Sequence, residues 1–350
     1  MIVRAIYPAR LQRYSEPRCF TLALAWTVIA WACGLAPAAE VSDLGPEARA
    51  AAFLAVEVPK WAAEHHCYSC HNNGDAARAL MMAMKRLPAQ DRGPLEDTLK
   101  FLADPERWDT SSPQGPFNDK KLARIQFAAA LTDALALGLL TDHGALERAA
   151  RLVAKLQLAD GSWEIAEAGS IGSPVTWGRI LATYQASRVL AAADRRKYAQ
   201  SLNKAQQWFE RSEPLNVVSA AAILLALVTD TSPTANRQRE RSLELIRQGQ
   251  KSDGGWGPFV TAPAEVFDTA LVLLALAAGP NNTPGRAEMI RRGRDYLVAA
   301  QEDDGSWPAT TRPPGAQSYA QQLSTTGWAT QALLATAAIH GEPAASDASK

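Results

Sequence analysis

The chain has 350 residues, 47% of them apolar and 21% charged, with a formal net charge of zero. That length and balance allow one large domain or two modest ones with a sizeable core. No basic run exceeds a few residues, which excludes nucleic acid as a partner. Ala- and Leu-rich stretches dominate and β-branched runs are few, so the class is all-α.

The N-terminal segment reads as an export signal. Arg4, Arg10, Arg13 and Arg18 form a basic region, and "FTLALAWTVIAWACGLAPA" follows from Phe20 to Ala38. Ala36 and Ala38 occupy the small-residue positions of a cleavage site. The expectation is a signal peptide over 1–38 and a periplasmic or otherwise extracytoplasmic protein. An uncleaved anchor and a lipoprotein site at Cys33 are the alternatives. No second apolar segment is long enough to span a bilayer, so no transmembrane span remains after cleavage. Cys19 and Cys33 would leave with the signal, and Cys67 and Cys70 would remain. Four Arg and Glu16 leave too, which takes three net positive charges and brings the chain to about −3.

Next comes "EHHCYSCHNNGD", where Cys67, Cys70 and His71 form C-x-x-C-H. Two thiols at that spacing can add to the two vinyl groups of one haem, while the adjacent His ligates the iron. The expected cofactor is haem c, with its attachment loop at 65–74 and an electron-transfer partner. A disulfide, or a zinc site using His65 or His66, is the alternative. His directly after the second Cys, in a chain otherwise free of cysteine, favours haem. Met81, Met82 and Met84 follow as possible distal ligands, or as core residues at helical spacing. His65 and His66 are further distal candidates, and a five-coordinate iron is another possibility. A distal Met raises the potential, whereas His lowers it.

Downstream, "QLADGSW" (Gln157–Trp163), "QKSDGGW" (Gln250–Trp256) and "QEDDGSW" (Gln301–Trp307) share Q-x-x-D-G-[SG]-W. The Gln spacings are 93 and 51, so a degenerate copy belongs between the first two, at Gln206, Gln207 and Trp208. A period near 50 marks a repeat array. Each copy follows an amphipathic helix, turns at Asp-Gly, and leads into a nearly apolar helix. Six hairpins result, at about 47–86, 94–139, 144–193, 195–229, 234–279 and 284–340. Closed on themselves they make an (α/α)6 toroid over 39–340, an outer ring around an inner one, followed by a solvated tail over 341–350.

These repeats resemble the QW motifs of the squalene–hopene cyclase and prenyltransferase superfamily. The resemblance implies that the Gln and Trp tie neighbouring helix ends. It also implies a central cavity whose mouth is lined by the inner-helix N-termini, with the haem motif grafted at that rim in the first repeat. Squalene–hopene cyclases carry D-x-D-D-T-A at an inner-helix start, and here "EVFDTA" supplies Glu265, Asp268, Thr269 and Ala270. Phe267 replaces the middle Asp, the family's proton donor, and an apolar ring cannot donate a proton. Glu265 and Asp268 remain the candidate catalytic acids, although acidic residues also suit helix starts. The prenyltransferase zinc set is absent, since no cysteine follows Cys70. Trp177, Trp328, Arg124 and Arg179 are softer candidates near inner-helix starts. The function expected is redox or electron transfer, with an isoprenoid-like ligand in the ring. A cyclase with a diverged acid motif and a non-catalytic binding scaffold are the alternatives.

Overall fold

Helices alternate in character along the chain. A run such as "VVSAAAILLA" has no polar face to offer water, so its helix must be covered on every side. Six helices form the inner ring, most of them close to this kind although α2 is amphipathic: α2 (Ala77–Arg86), α4 (Lys120–Ala136), α6 (Gly178–Asp194), α8 (Val217–Ala226), α10 (Val266–Ala278) and α12 (Tyr319–His340). Amphipathic helices precede each one: α1 (Pro46–His65), α3 (Glu96–Leu102), α5 (His143–Ala154), α7 (Ala199–Arg211), α9 (Pro233–Gly249) and α11 (Arg286–Ala299). The computed structural model describes residues 44–88, 91–110, 120–163, 171–312 and 314–340. The leader expected over 1–38 and the tail expected over 341–350 lie outside the described residues.

The inner helices pack in chain order, α4 on α6, α6 on α8, α8 on α10 and α10 on α12. Helix α12 then packs on α2 and on the π-helical turn Cys70–Ala76 that leads into it, which closes the ring. Outer helices lean on the inner ones, for example α5 on α4 and α6, and α11 on α10 and α12.

The three full repeats work as fasteners. Trp163, Trp256 and Trp307 are fully buried, and each indole N–H donates to a carbonyl ten residues back, on Val153, Ile246 and Leu297. Each Gln bonds its own turn and the start of the next outer helix: Gln157 to Ser201 O at 2.8 Å and Gln250 to Met289 O at 3.0 Å. Gln301 bonds Pro46 O at 3.0 Å and thereby fastens the last hairpin to the first. Gly161, Gly254 and Gly305 carry φ of 100°, 93° and 90°. A Cβ on Gly254 would lie 2.2 Å from Arg292 O, so only glycine serves there.

The fourth repeat departs from expectation. Gln206, Gln207 and Trp208 sit inside α7, not in a turn after it. Trp208 lies under the Arg179 guanidinium. The tie at this position comes instead from Gln238 on α9, which donates to Glu210 O and Ser212 O.

Candidate functional site

The first repeat lacks the Gln-Trp turn, and C-x-x-C-H-N-N stands in its place. Helix α1 ends at His66, whose φ of 53° is left-handed. Cys70–Ala76 then forms a π-helix, a form concentrated at functional sites. Asn72 and Asn73 take over the fastening. Asn72 Nδ2 donates to Glu57 O at 2.7 Å, and Asn73 Nδ2 donates to Val58 O and to Thr98 Oγ1 on α3. The motif is therefore built into the ring.

His71 is partly buried, and its ring is desolvated enough to bring its pKa down to about 4. It is a neutral imidazole near pH 7. Its Nδ1 lies 3.0 Å from Ser324 Oγ on α12. Ser324 in turn donates to Asp75 Oδ2 at 3.0 Å. With its one hydrogen committed, the Ser324 oxygen can only accept from His71, which puts the imidazole proton on Nδ1. Nε2 then keeps its lone pair and faces Cys70 Sγ at 3.8 Å.

Asp75 is fully buried, and burial pushes its pKa up to about 7 against the pull of Arg78, Ser324, Gln126 and Trp177. Gln126 Nε2 donates to the same Oδ2 at 3.0 Å, so a proton on this carboxyl belongs on Oδ1 and leaves the Ser324 bond unchanged. Trp177 Nε1 is turned toward Asp75 without reaching strict hydrogen-bond geometry. Gly327 lets α12 come this close, since a Cβ there would lie 2.9 Å from Asp75 O.

Around the thiols lies an aromatic rim. Trp61 donates to Cys67 Sγ at 3.3 Å, stacks on Tyr319 and meets His65 at 4.0 Å between centroids. The Tyr319 hydroxyl donates to Glu57 and accepts from Asn72. No disulfide joins Cys67 and Cys70. Among the described residues no group of three or more His, Cys, Asp or Glu is arranged to hold a metal ion. The donor set fits a c-type haem: two thiols, and a neutral histidine whose second nitrogen is held by a hydrogen bond, as metal-ligating histidines require.

The methionines do not belong to this site. Met81, Met82 and Met84 lie about three helical turns beyond His71. Met81 is fully buried in the core, and Met82 faces a cavity further down the ring. The helix that follows His71 carries them away along its axis, while His65 and His66 are exposed.

A cavity among the described residues lies away from the mouth that the resemblance implied. Trp177 at the start of α6 and Phe267 at the start of α10 meet Trp328, midway along the longer α12, edge to face and plug the ring there. The cavity of about 390 Å³ lies beyond this plug, toward the helices' C-terminal ends, and all six inner helices contribute to its wall. Trp328 closes its inner end, Leu225 and Leu274 line its sides, and Arg78, Arg86 and Arg188 bring cationic groups. Asp133 pairs with both Arg78, at 2.6 Å, and Arg188, and they hold its carboxyl below the usual range in spite of burial.

Glu265 and Asp268 are brought together, but by a clamp. Arg312 bonds Glu265 at 2.9 Å and also binds Asp268 and Gly172 O. Burial pushes Asp268 up to about 7 even so. The Phe267 ring packs against Trp328. Arg124 and Arg179 are engaged in ion pairs with Asp109 and Asp160. Sequence reasoning missed Asp75, Asp133 and Ser324. Asp75 stands four residues after His71, a spacing that puts two helical residues on one face, but Ser324 gave no local signal.

Comparison with known proteins gives the class. Residues 212–347 match the squalene-hopene cyclase C-terminal domain model. Drimenyl diphosphate synthase from Streptomyces showdoensis is 32% identical over 105 residues, 28% of this chain and 19% of that protein. Terpene cyclase/mutase ntnI from Nectria sp is 32% identical over 124 residues, 34% of this chain and 16% of that protein. The matched part spans less than a fifth of either relative. The ligand-free type II terpene cyclase MstE from Scytonema superposes with a TM-score of 0.54 at 13% identity, covering 85% of this chain and 100% of that one. A protein from Actinoplanes gives 0.55 at 16%, covering 83% and 98%. At such identities the likeness is one of fold. The chain is an all-α toroid of the terpene cyclase type, with squalene–hopene cyclase sequence character in its C-terminal part.

Among the described residues no helix is long and apolar enough to cross a membrane.

Proposed function

We propose that this protein is a terpene-cyclase-type enzyme that takes an isoprenoid-class chain into the ring cavity and acts on it by acid–base chemistry, with Asp75 as the proton-holding carboxyl. The observation that carries this reading is the cavity: all six inner helices wall it, Trp328 ends it, and a buried acid stands one helical turn behind the wall residue Arg78. A general acid must hold its proton at working pH, and burial does this for Asp75. Asp268 is the weaker choice because Arg312 pairs with it. An acid near 7 suits an oxygen function on the chain, an epoxide or a carbonyl, better than an unactivated alkene. The aromatic faces of Trp177 and Trp328 suit positive charge developing nearby. In support, a related MstE structure holds geranylgeranyl dihydroxybenzoate as substrate. The test is product analysis with terminal epoxides of linear isoprenoids. Conversion by wild type, lost in Asp75→Asn with binding retained, supports the reading. Binding without conversion of any such chain removes the enzyme.

A second reading rests on the His71–Ser324–Asp75 relay. Cys67 and Cys70 would anchor haem c, and His71 would ligate its iron through Nε2, in a protein exported to the periplasm. The iron would supply one-electron chemistry at the ring's N-terminal end, with an electron-transfer partner. The residues' own part is to fix the imidazole tautomer and to shield the thiols beneath Trp61. Pyridine-haemochrome spectroscopy of protein matured in the periplasm tests it, and absence of covalent haem removes it.

A further inference from the structure

The degenerate fourth repeat leaves a gap. Helix α7 buries only Ala205 and Phe209, against five residues of α5 and six of α11. Beneath it, between α6 and α8, lies a second cavity of about 490 Å³. It shares Tyr184, Arg188 and Leu225 with the central cavity, so the two meet at a common wall. Ala191, Leu202, Phe209 and Val228 give it an apolar wall, while Arg188, Arg195, Thr229 and the Gln206–Asp230 pair, 2.7 Å apart, give it a polar one.

We infer that the isoprenoid site has two arms: the central cavity takes one end of the chain, and the side cavity beneath α7 takes the rest. The inference rests on the proposed isoprenoid site and adds its chain-length preference. In repeats with an intact Gln-Trp turn the buried Trp bonds its own outer helix, on Val153, Ile246 and Leu297, whereas α7 is tied at its start by Gln157 and has no such Trp after it. The fourth has lost that turn, and the space beneath α7 adjoins the central cavity across the shared residues Tyr184, Arg188 and Leu225. Apolar walls there suit methylenes and methyl branches, and each methylene buried adds affinity. The extra length of a long isoprenoid therefore gains affinity only if this arm receives it.

Filling the side arm tests the idea. Ala191, on α6, lines the side cavity but not the central one. Equilibrium binding of geraniol and geranylgeraniol is compared in the wild type, Ala191→Trp and Ala226→Trp, each checked for unchanged thermal unfolding. The expected result is that geranylgeraniol binding weakens by about tenfold or more in both variants, while geraniol binding stays within about twofold. Equal affinity of the variants and the wild type for geranylgeraniol overturns the two-arm site. Failure of the wild type to bind either alcohol overturns the isoprenoid reading itself, and the side arm with it.

Discussion

His71 and Ser324 meet at 3.0 Å although 253 residues separate them in the chain. The contact joins the first inner helix to the last, at the seam where the ring closes. Ser324 passes the link on to Asp75, and Asp75 lies beside Trp177. The C-x-x-C-H turn and the closed end of the cavity therefore share one buried carboxyl. An effect on either can be felt at the other through a single hydroxyl.

Ser324→Ala should release the imidazole tautomer. Nitrogen chemical shifts of His71 should show the proton on Nδ1 in the wild type, with mixed or Nε2-protonated imidazole in the variant. This readout needs no cofactor. Identical tautomers in both proteins would show that Ser324 merely packs there. In haem-loaded protein the same variant should shift the reduction potential while covalent attachment persists.

Gln301 closes the ring by bonding Pro46 O, its own turn at Gly305 O, and Arg49. Gln301→Ala should cost about 1–3 kcal/mol, because it strands carbonyls that the fold has partly withdrawn from water. Gln248, exposed and bonded only to Glu244 one turn away, serves as the control, and its removal should cost under about 0.5 kcal/mol. Urea unfolding of the two variants measures the difference, and equal losses would refute the closure role.

Asp133→Asn removes the shared partner of Arg78 and Arg188. Arg78 is only 4% exposed, so its guanidinium would lose the charge that balances it in the wall, keeping at best one amide oxygen as acceptor. A loss of about 3–5 kcal/mol is expected, since breaking a buried pair from one side costs far more than the pair itself contributes. Calorimetry checks this, and a loss below about 1 kcal/mol would mean that water reaches Arg78.

Asp268 gives a signed pH dependence. Its pKa rises from 3.8 unfolded to about 7 folded. The folded protein thus keeps a proton that the unfolded chain releases, and the stability this provides is lost as pH rises from about 4 through 7. Asp75 titrates in the same sense and His71 in the opposite one, but both are present in wild type and in Asp268→Asn. The difference in Tm between the two proteins should therefore move against the wild type from pH 4 to pH 7 and level off above about 8. A constant difference would place an ionised Asp268 in the Arg312 clamp at every pH.

The ring was legible because its signals are local and repeated. Q-x-x-D-G-[SG]-W fixes a turn, and the helices on either side declare inner or outer by their apolar faces. Gln206, Gln207 and Trp208 misled because adjacency of Gln and Trp was taken for the motif, whereas the fastening needs a Gly at φ near 90° beyond the helix end. The plug of Trp177, Phe267 and Trp328 was hidden for another reason. Where the ring fills with aromatic side chains depends on how residues 150 apart converge, and no window of sequence holds that information. The same holds for Ser324, an ordinary helix serine until α12 meets the π-turn. The Met81, Met82 and Met84 cluster looked close to His71 in sequence, but a helix converts that spacing into three turns of separation.

The central claim is that an isoprenoid chain occupies the ring cavity. Ala335 lines that cavity from α12 and is absent from the wall of the side arm. Isothermal titration of the full chain with geranylgeraniol measures the claim most directly, beside Ala335→Trp. The account predicts one equivalent bound by the wild type and a loss of about tenfold or more in the variant. No saturable binding by the wild type, or equal binding by both proteins, would contradict it.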